Sequence, residues 1–405
     1  MRIRRSIVLA FAATCAALVI FAQQQFVDVQ IIGPVTKPKR LEPTPERVRA
    51  LQVPGGFRVT KCAEGLGNAR MLAAASDGTI YVTRREEGDV LMLRDVDGDG
   101  AVDQRNVVAK KPDMHGIALD GDRVYLATVR EVYATERKPD GTFGELSQII
   151  GDLPDGGQHP NRTLAVGPDR MLYITVGSTC NACRETNEES ATILRARLDG
   201  SSREVFTSGL RNTLGFDWHP ETGELWSMDH GIDWLGDNEQ GEELNLLVRS
   251  AKYGWPFVYG KGKFNPADEP PGDTTKEEWA RASREPALLY TAHAAPMQMV
   301  FYDAGQFPAG YRNDAFIAMR GSWNRRPPSG YEVVRIRFEN GKPVGFESFL
   351  TGFLVKDGGG WGYTARLAGI AIDKTGALLV SDDSNGIIYR ISHEGGGASP
   401  ETARR

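Results

Sequence analysis

One unit recurs along the chain and constrains its fold more than any other feature. It is an apolar strand, a turn rich in Asp and Gly, and a second strand with an aromatic residue near its start. Copies occupy residues 71–83, 116–128, 164–175, 214–227, 299–302 with 314–319, and 369–381. Tyr81, Tyr125, Tyr173, Trp226, Phe316 and Leu379 hold equivalent positions, at spacings of 44, 48, 53, 90 and 63 residues. A pair of half-apolar strands cannot bury its faces alone, so such units stack on their neighbours, and the shorter spacings suit a four-stranded blade. Six copies predict an all-β fold, a six-bladed β-propeller. The two long spacings imply insertions, chiefly residues 255–295, whose Pro, Gly and charge content reads as a surface excursion. The alternating segment 56–62 is expected to pair into the last blade and close the ring.

Arg2, Arg4 and Arg5 precede an apolar run over residues 7–21, the pattern of a bacterial-type export signal. An uncleaved N-terminal membrane anchor is the alternative. The expected organisation is a signal peptide or anchor over 1–22, a linker over 23–54, the propeller over 55–392 and a flexible tail over 393–405, in a periplasmic or secreted protein. Export permits disulfides. Cys180-Asn181-Ala182-Cys183 lies in a polar loop after a strand-like stretch and is expected to close a short one, with Cys62 a buried thiol. The formal net charge of −5 makes a general nucleic-acid partner unlikely to fit.

In a propeller the start of each blade's first strand and the end of its second share one face. At or before the first strands lie Arg70, His115, His159 with Arg162, Arg211-Asn212, His293 and Arg366. At the ends of the second strands lie Arg84-Arg85, Arg130, Asp229-His230, Arg320 and Asp382-Asp383. A mouth lined by Arg and His in an acidic protein fits an anionic ligand; the plain alternative is that strand ends are solvated and carry charge for that reason. Separately, Asp95, Asp97, Asp99 and Asp103 recur at the oxygen-ligand spacing of a calcium loop. Residue 106 is Asn106, not the Glu such a loop ends on, so a tight acidic hairpin competes with a structural calcium site.

These residues resemble the glucose/sorbosone dehydrogenase family, soluble six-bladed propellers that use pyrroloquinoline quinone (PQQ). The likeness runs from about residue 55 to 392. It rests on Gly157-Gln158-His159 leading into Arg162 and Gly167-Pro168-Asp169, and on Gly209-Leu210-Arg211-Asn212 followed by Gly215. It continues through Asp229-His230-Gly231-Ile232-Asp233, Glu242-Glu243-Leu244-Asn245, Tyr253-Gly254-Trp255-Pro256, Arg320-Gly321-Ser322-Trp323-Asn324-Arg325 and Arg366. Ser178-Thr179-Cys180-Asn181-Ala182-Cys183 and the run from Arg320 to Arg325 look closest to the sorbosone-dehydrogenase-like branch. By matching positions, the resemblance implies that His159 is the general base and that Arg211 joins it in catalysis. Arg211, Asn212, His230, Arg320 and Arg366 are implied cofactor contacts. Gly231 and Ile232 are implied backbone ligands of a calcium ion at the quinone. Gln158 stands where the glucose-oxidising branch has an acidic residue that orients the base.

The chemistry can be stated from the residues. Oxidising a hemiacetal or hydrated aldehyde removes a hydroxyl proton while hydride leaves the same carbon, and a neutral imidazole is a natural proton acceptor. No side chain is an electron sink, so a cofactor is required. The absence of a Gly-x-Gly-x-x-Gly strand–helix opening argues against a nicotinamide. The expected activity is PQQ- and calcium-dependent oxidation of an aldose or sugar aldehyde, with electrons passed to an external acceptor. Two other readings compete: a non-enzymatic propeller that binds a protein or glycan, and a metal-dependent lactonase drawing on Asp229, Asp382 and Asp383.

Overall fold

The computed structural model describes residues 35–395. The signal or anchor over 1–22, the first part of the linker and the tail from residue 396 lie outside the described residues. Six four-stranded antiparallel sheets follow one another around a ring. Blade 1 is Ala69–Ala74, Ile80–Arg84, Asp89–Arg94 and Gln104–Lys110; blade 2 is Gly116–Asp120, Arg123–Ala127, Val132–Glu136 and Ser147–Ile150. Blade 3 is Leu164–Val166, Leu172–Val176, Thr192–Ala196 and Glu204–Ser208; blade 4 is Thr213–Trp218, Leu225–Asp229, Glu242–Leu247 and Leu288–Tyr290. Blade 5 is Pro296–Phe301, Ala315–Met319, Glu332–Glu339 and Lys342–Leu350. Blade 6 is Leu367–Ile372, Leu378–Asp382 and Ile387–His393, completed on its outer edge by Phe57–Ala63.

The repeat read in the sequence is the inner hairpin of each blade. Tyr81 faces Ala73, Tyr125 faces Ala118, Tyr173 faces Ala165, Trp226 faces Asp217, Phe316 faces Val300 and Leu379 faces Ala371. All six are buried, because these side chains fill the space between neighbouring blades. Tyr81 shows how: its ring lies 4.8 Å from Phe143 of the blade 2 hairpin, and its hydroxyl donates to the Gly141 carbonyl at 2.6 Å. A large ring with a polar tip fits a core whose rim is wet.

Ring closure is as expected. Phe57 pairs with His393 and Thr60 with Arg390, so the first strand after the N-terminal segment completes the last blade. The Phe57 ring packs edge-on against Phe307 at 4.7 Å and Phe349 at 5.0 Å, tying the closing strand to blade 5 as well. Gln298 of blade 5 adds a link across the channel. Its Oε1 accepts from the backbone N–H of Leu72 in blade 1 and Ile370 in blade 6, and its Nε2 donates to the Leu72 carbonyl.

Three segments depart from the sequence reading. Residues 35–54, expected to be linker, carry a two-residue strand, Lys39–Arg40, that pairs in parallel with Gly362 and Tyr363, and a short helix, Pro45–Arg49, capped by Thr44. The insertion over 255–295 is a surface excursion only in part. It holds a helix, Lys276–Ala282, and a small ribbon, but Trp255 and Phe257 are buried and Leu288–Tyr290 is the outer strand of blade 4. His393, placed at the start of the tail, ends the last blade's third strand.

Candidate functional site

The starts of the first strands meet the ends of the second strands in each blade: Ala69 pairs with Arg84, Gly116 with Ala127, Leu164 with Ile174, Thr213 with Asp229, Pro296 with Met319 and Leu367 with Asp382. The Arg/His set singled out in the sequence therefore gathers at one mouth of the channel. Its members divide into those whose polar atoms are consumed by the protein and those that keep an atom without a partner.

His115 belongs to the first group. Arg70 donates to its Nε2 at 3.1 Å and its Nδ1 lies 2.9 Å from the Arg162 carbonyl, so the ring is a neutral Nδ1–H tautomer with both nitrogens engaged. Arg162 is spent on the carbonyls of Val129, His159 and Pro154. His293 binds the Gly236 carbonyl through Nε2 and accepts from Asn324 through Nδ1. Arg70 and Arg320 both clasp Asp383, at 2.5 and 2.8 Å, so Asp383 is the counter-ion of two mouth arginines. Asp229 accepts from the backbone N–H of Arg211 and Asn212 and from the Thr213 hydroxyl. Asp382 accepts from the N–H of Arg366 and Ser384. These carboxylates hold strand ends in place and do not form the ligand cluster a lactonase would need.

Burial, then the Arg70 cation, push His115 well below the ordinary histidine range. A depressed pKa means the stability this ring confers is complete above the unfolded value of about 6.5 and is lost as pH falls. Relative to His115→Gln, the wild-type protein is expected to lose roughly 1.4 kcal/mol per pH unit below that point. Paired urea unfolding at pH 8 and pH 5.5 checks it; a stability difference that does not change between the two contradicts the neutral buried ring.

The second group comes from four blades. His159 precedes the first strand of blade 3. Its Nδ1 lies 2.9 Å from both the carbonyl oxygen and the Oγ of Ser178. A carbonyl can only accept, so Nδ1 carries the proton and Nε2 keeps its lone pair. Nε2 has no hydrogen-bond partner among the described residues. Burial, then the Arg211 cation, push this imidazole down to about 2, so the ring is neutral. Gln158, expected at the orienting position, instead reaches Asp233 at 3.3 Å; the orienting group is Ser178, at the far end of the adjacent strand. Gly177 has no room for a side chain: a Cβ there would stand 2.6 Å from His159 Cβ and 2.9 Å from Asn212 Oδ1.

Arg211 and Asn212 open blade 4. Arg211 Nε and Nη2 bind Asn181 and Nη2 also pairs with Asp233 at 2.5 Å, leaving Nη1 without a partner among the described residues. Asn212 Oδ1 is buried and unpartnered. Arg320 of blade 5 spends Nε and Nη2 on Asp383. Arg366 of blade 6 donates to the carbonyls of Arg320 and Gly321, with no carboxylate partner among the described residues, and burial pushes it down to about 10. Both keep Nη1 unpartnered among the described residues. A cavity of about 490 Å³ adjoins Arg366, walled by Ser322, Trp323, Tyr331 and Tyr363 with Lys37 and Pro38. His230 donates through Nε2 to the Pro296 carbonyl at 2.5 Å. Burial first, then Arg211, push it to about 3, and Arg320 adds to that, so the ring is neutral.

Gly231 and Ile232 follow His230. Their N–H groups are tied to Glu242 at 2.8 Å and Gln240 at 3.1 Å, while their carbonyls accept from no described residue. The acidic loop is elsewhere. It joins the third and fourth strands of blade 1, with the carboxylates of Asp95, Asp97 and Asp99 turned onto the loop's own N–H groups and Asp103 onto Val96 N–H. That is the acidic hairpin the sequence allowed. Asp95, Asp97 and Asp99 bring oxygens within 4.8 Å of one another; Asp103 stands outside that group. Cys180 and Cys183 form the expected disulfide, and Cys62 is a buried free thiol.

Missed in the sequence were Ser178, Asn181, Asp233 and the half-buried pair Trp234 and Trp323, whose rings meet edge-on at 5.4 Å. All but Trp234, which follows Asp233, lay inside a quoted motif, and the signal overlooked was the clustering of polar residues just after a second strand.

One mouth of this six-bladed propeller thus presents, among the described residues, an imidazole nitrogen without a partner together with arginines from neighbouring blades. The chain belongs to the TrAA12-like family, whose model matches residues 51–394. The likeness to soluble PQQ-dependent sugar dehydrogenases read in the sequence is borne out at family level. The chain is 27% identical over 370 residues to a protein of Borreliella burgdorferi, covering 86% of this chain and 92% of that one. It superposes with TM-score 0.72 and 22% identity on the holo form of the pyranose dehydrogenase PQQ domain from Coprinopsis cinerea, covering 89% of this chain and 100% of that one. That fungal enzyme's full sequence, a PQQ-dependent pyranose dehydrogenase, is 23% identical over 330 residues, which is 70% of this chain but only 44% of that protein. A calcium structure of a Trichoderma reesei Family AA12 carbohydrate-active enzyme matches with TM-score 0.72 and 21% identity, over 85% and 97% of the two chains.

Proposed function

We propose that the protein is an exported quinoprotein dehydrogenase that oxidises an aldose or sugar aldehyde and passes the electrons to an external acceptor. One observation carries the reading. Among the described residues, Arg211, Arg320 and Arg366 each keep a guanidinium Nη1 without a partner, and His159 an Nε2 without one, on strand ends that share one mouth. PQQ is a flat tricarboxylate, and three free guanidinium edges suit three carboxylates. The orphaned Asn212 Oδ1 adds a buried acceptor that wants a donor. The carbonyls of Gly231 and Ile232, with their N–H groups pinned, suit two of the six to eight oxygen ligands that calcium takes. The named fungal relatives support the same cofactor and, for one of them, calcium.

When bound, the quinone supplies the two-electron acceptor that no side chain offers. His159 Nε2 takes the hydroxyl proton from the carbon that loses hydride, and Ser178 stabilises the resulting imidazolium through Nδ1–H. Arg211 and Asn212 hold the polar edge of the site, and the burial of His159 keeps bulk water from the base. The disulfide supports an oxidising compartment, in line with the basic and apolar N-terminal run.

Arg366→Ala is expected to weaken PQQ binding by about 1.5–3 kcal/mol, roughly 10- to 150-fold, since a charged hydrogen bond to the cofactor is lost. Fluorescence titration of apo-protein with PQQ in calcium reads this directly, and unchanged affinity removes Arg366 from the cofactor site. The function is tested by a screen of aldoses and aldehydes with PQQ, calcium and a dye acceptor. Dye reduction that needs both PQQ and sugar is the expected result; none with any sugar, on protein that binds PQQ, counts against it.

A further inference from the structure

We infer that the Cys180–Cys183 loop is the brace of the active site, with Asn181 the residue that positions Arg211 and with the loop's first turn positioning His159. The inference rests on the function proposed above and goes beyond it, because it assigns a role to a loop that touches neither sugar nor quinone in that reading.

Asn181 lies inside the four-residue disulfide ring and accepts four hydrogen bonds. Its carbonyl accepts from Arg211 Nε at 2.9 Å and from Trp255 Nε1 at 3.2 Å. Its side-chain Oδ1 accepts from Arg211 Nη2 at 2.7 Å and from Asp233 N–H at 2.9 Å. One residue thus fixes both the arginine and the backbone of its carboxylate partner. On the other side of the loop, the Ser178 hydroxyl donates to the Cys180 carbonyl at 2.6 Å. That bond directs the hydroxyl proton away from His159, so Oγ is left as an acceptor and Nδ1–H is shared between Ser178 O and Oγ. The Ser178 carbonyl fixes the tautomer that leaves Nε2 free, and the Cys180 carbonyl, held by the disulfide ring, adds Ser178 Oγ as a second acceptor that sets where the ring sits.

A four-residue ring stabilises the whole fold little, since closing so short a loop removes little unfolded-state entropy. What it fixes is local: the two carbonyls, at 180 and 181, on which the base and the arginine depend. A loop free to move by about 1 Å would misplace both, and misplacement of that size typically costs on the order of 10²-fold in rate.

The experiment compares wild type, Asn181→Ala, Asn181→Asp and the double variant Cys180→Ser/Cys183→Ser. Histidine-¹⁵N NMR of the apo-protein, assigned by the resonance lost in His159→Gln, reads the His159 tautomer without any cofactor. Turnover on PQQ-saturated protein and the thermal midpoint are measured alongside. The double variant is expected to keep the Nδ1–H tautomer but to show a shifted and broadened His159 Nδ1 resonance as its second acceptor loosens, and Asn181→Ala a 10- to 100-fold fall in turnover, each with a midpoint within a few degrees of wild type. Asn181→Asp keeps an acceptor oxygen and is expected to recover most of that loss. An unchanged His159 Nδ1 resonance in the double variant, or turnover of Asn181→Ala within threefold of wild type, overturns the inference. Should the wild type oxidise no sugar, the proposed function fails by itself, and the Nδ1 resonance still decides whether the loop braces His159.

Discussion

Replacement of His159 by glutamine is expected to lower turnover 10²–10⁴-fold in quinone-saturated protein, the usual loss when a general base is removed. Two features single out this ring. Of the mouth histidines, His115 and His293 have both nitrogens bound to the protein, while His159 and His230 each keep one free among the described residues. His159 is the one whose free nitrogen is Nε2, with Nδ1–H locked on Ser178 and the orphaned Asn212 oxygen beside it across Gly177. Glutamine retains much of the volume and one donor, so PQQ affinity and the thermal midpoint should change little. Turnover within about threefold of wild type lies outside the general-base range and would move the role to His230.

Asp383→Asn is expected to cost the largest share of stability of any single change at the mouth, about 3–5 kcal/mol, because it leaves buried cations without their counter-charge. The Arg70 side chain is 8% exposed and that of Asp383 1%, and Arg320 joins the same carboxylate. Burial pushes the Asp383 carboxyl up, but Arg320 and Arg70 outweigh it and hold it below the ordinary carboxylate range. Its stabilising contribution is therefore complete above about pH 4 and lost as pH falls further. Urea unfolding at pH 7 should show the full deficit, and one at pH 3.5 a smaller one. A loss under 1 kcal/mol at pH 7 would mean that solvent reaches both arginines.

Blade number and closure were legible because each depends on a pattern that repeats within a few residues. Tyr81 and its five equivalents sit at the second or, for Tyr125, the third residue of a second strand, and that local rule survives insertions. The alternation over 56–62 marked a strand with no partner before it, which left the last blade as its neighbour, and the strand runs over Phe57–Ala63. The outer strand of blade 4 was hidden, since Leu288–Tyr290 has three residues and follows a long insertion. The strand Lys39–Arg40 was hidden for the same reason, having two residues and no period to detect.

At the site, the chain revealed which residues gather but not which are spent. Arg70 and Arg366 look alike in sequence; only the fold shows that Arg70 finds Asp383, 313 positions away, while Arg366 finds carbonyls. By the resemblance Gln158 stands where an acidic residue would orient the base, yet it lies in a turn and its side chain reaches Asp233. Ser178, 19 residues on, returns to His159 because the strand between them runs back to the same mouth. The Asp95–Asp103 spacing fits both an acidic hairpin and a calcium loop because both bring carboxylates close together, as Asp95, Asp97 and Asp99 are here, within 4.8 Å of one another.

The central claim is that this mouth holds a quinone beside a base and a sugar. Its most direct test is an anaerobic single turnover: protein loaded with one equivalent of PQQ and calcium is mixed with an aldose, and the quinone's absorbance is followed. The account predicts stoichiometric reduction of the bound quinone by the sugar, slowed 10²–10⁴-fold in His159→Gln. Failure of the wild-type protein to bind PQQ saturably, or a bound quinone that stays oxidised with every aldose, would contradict it.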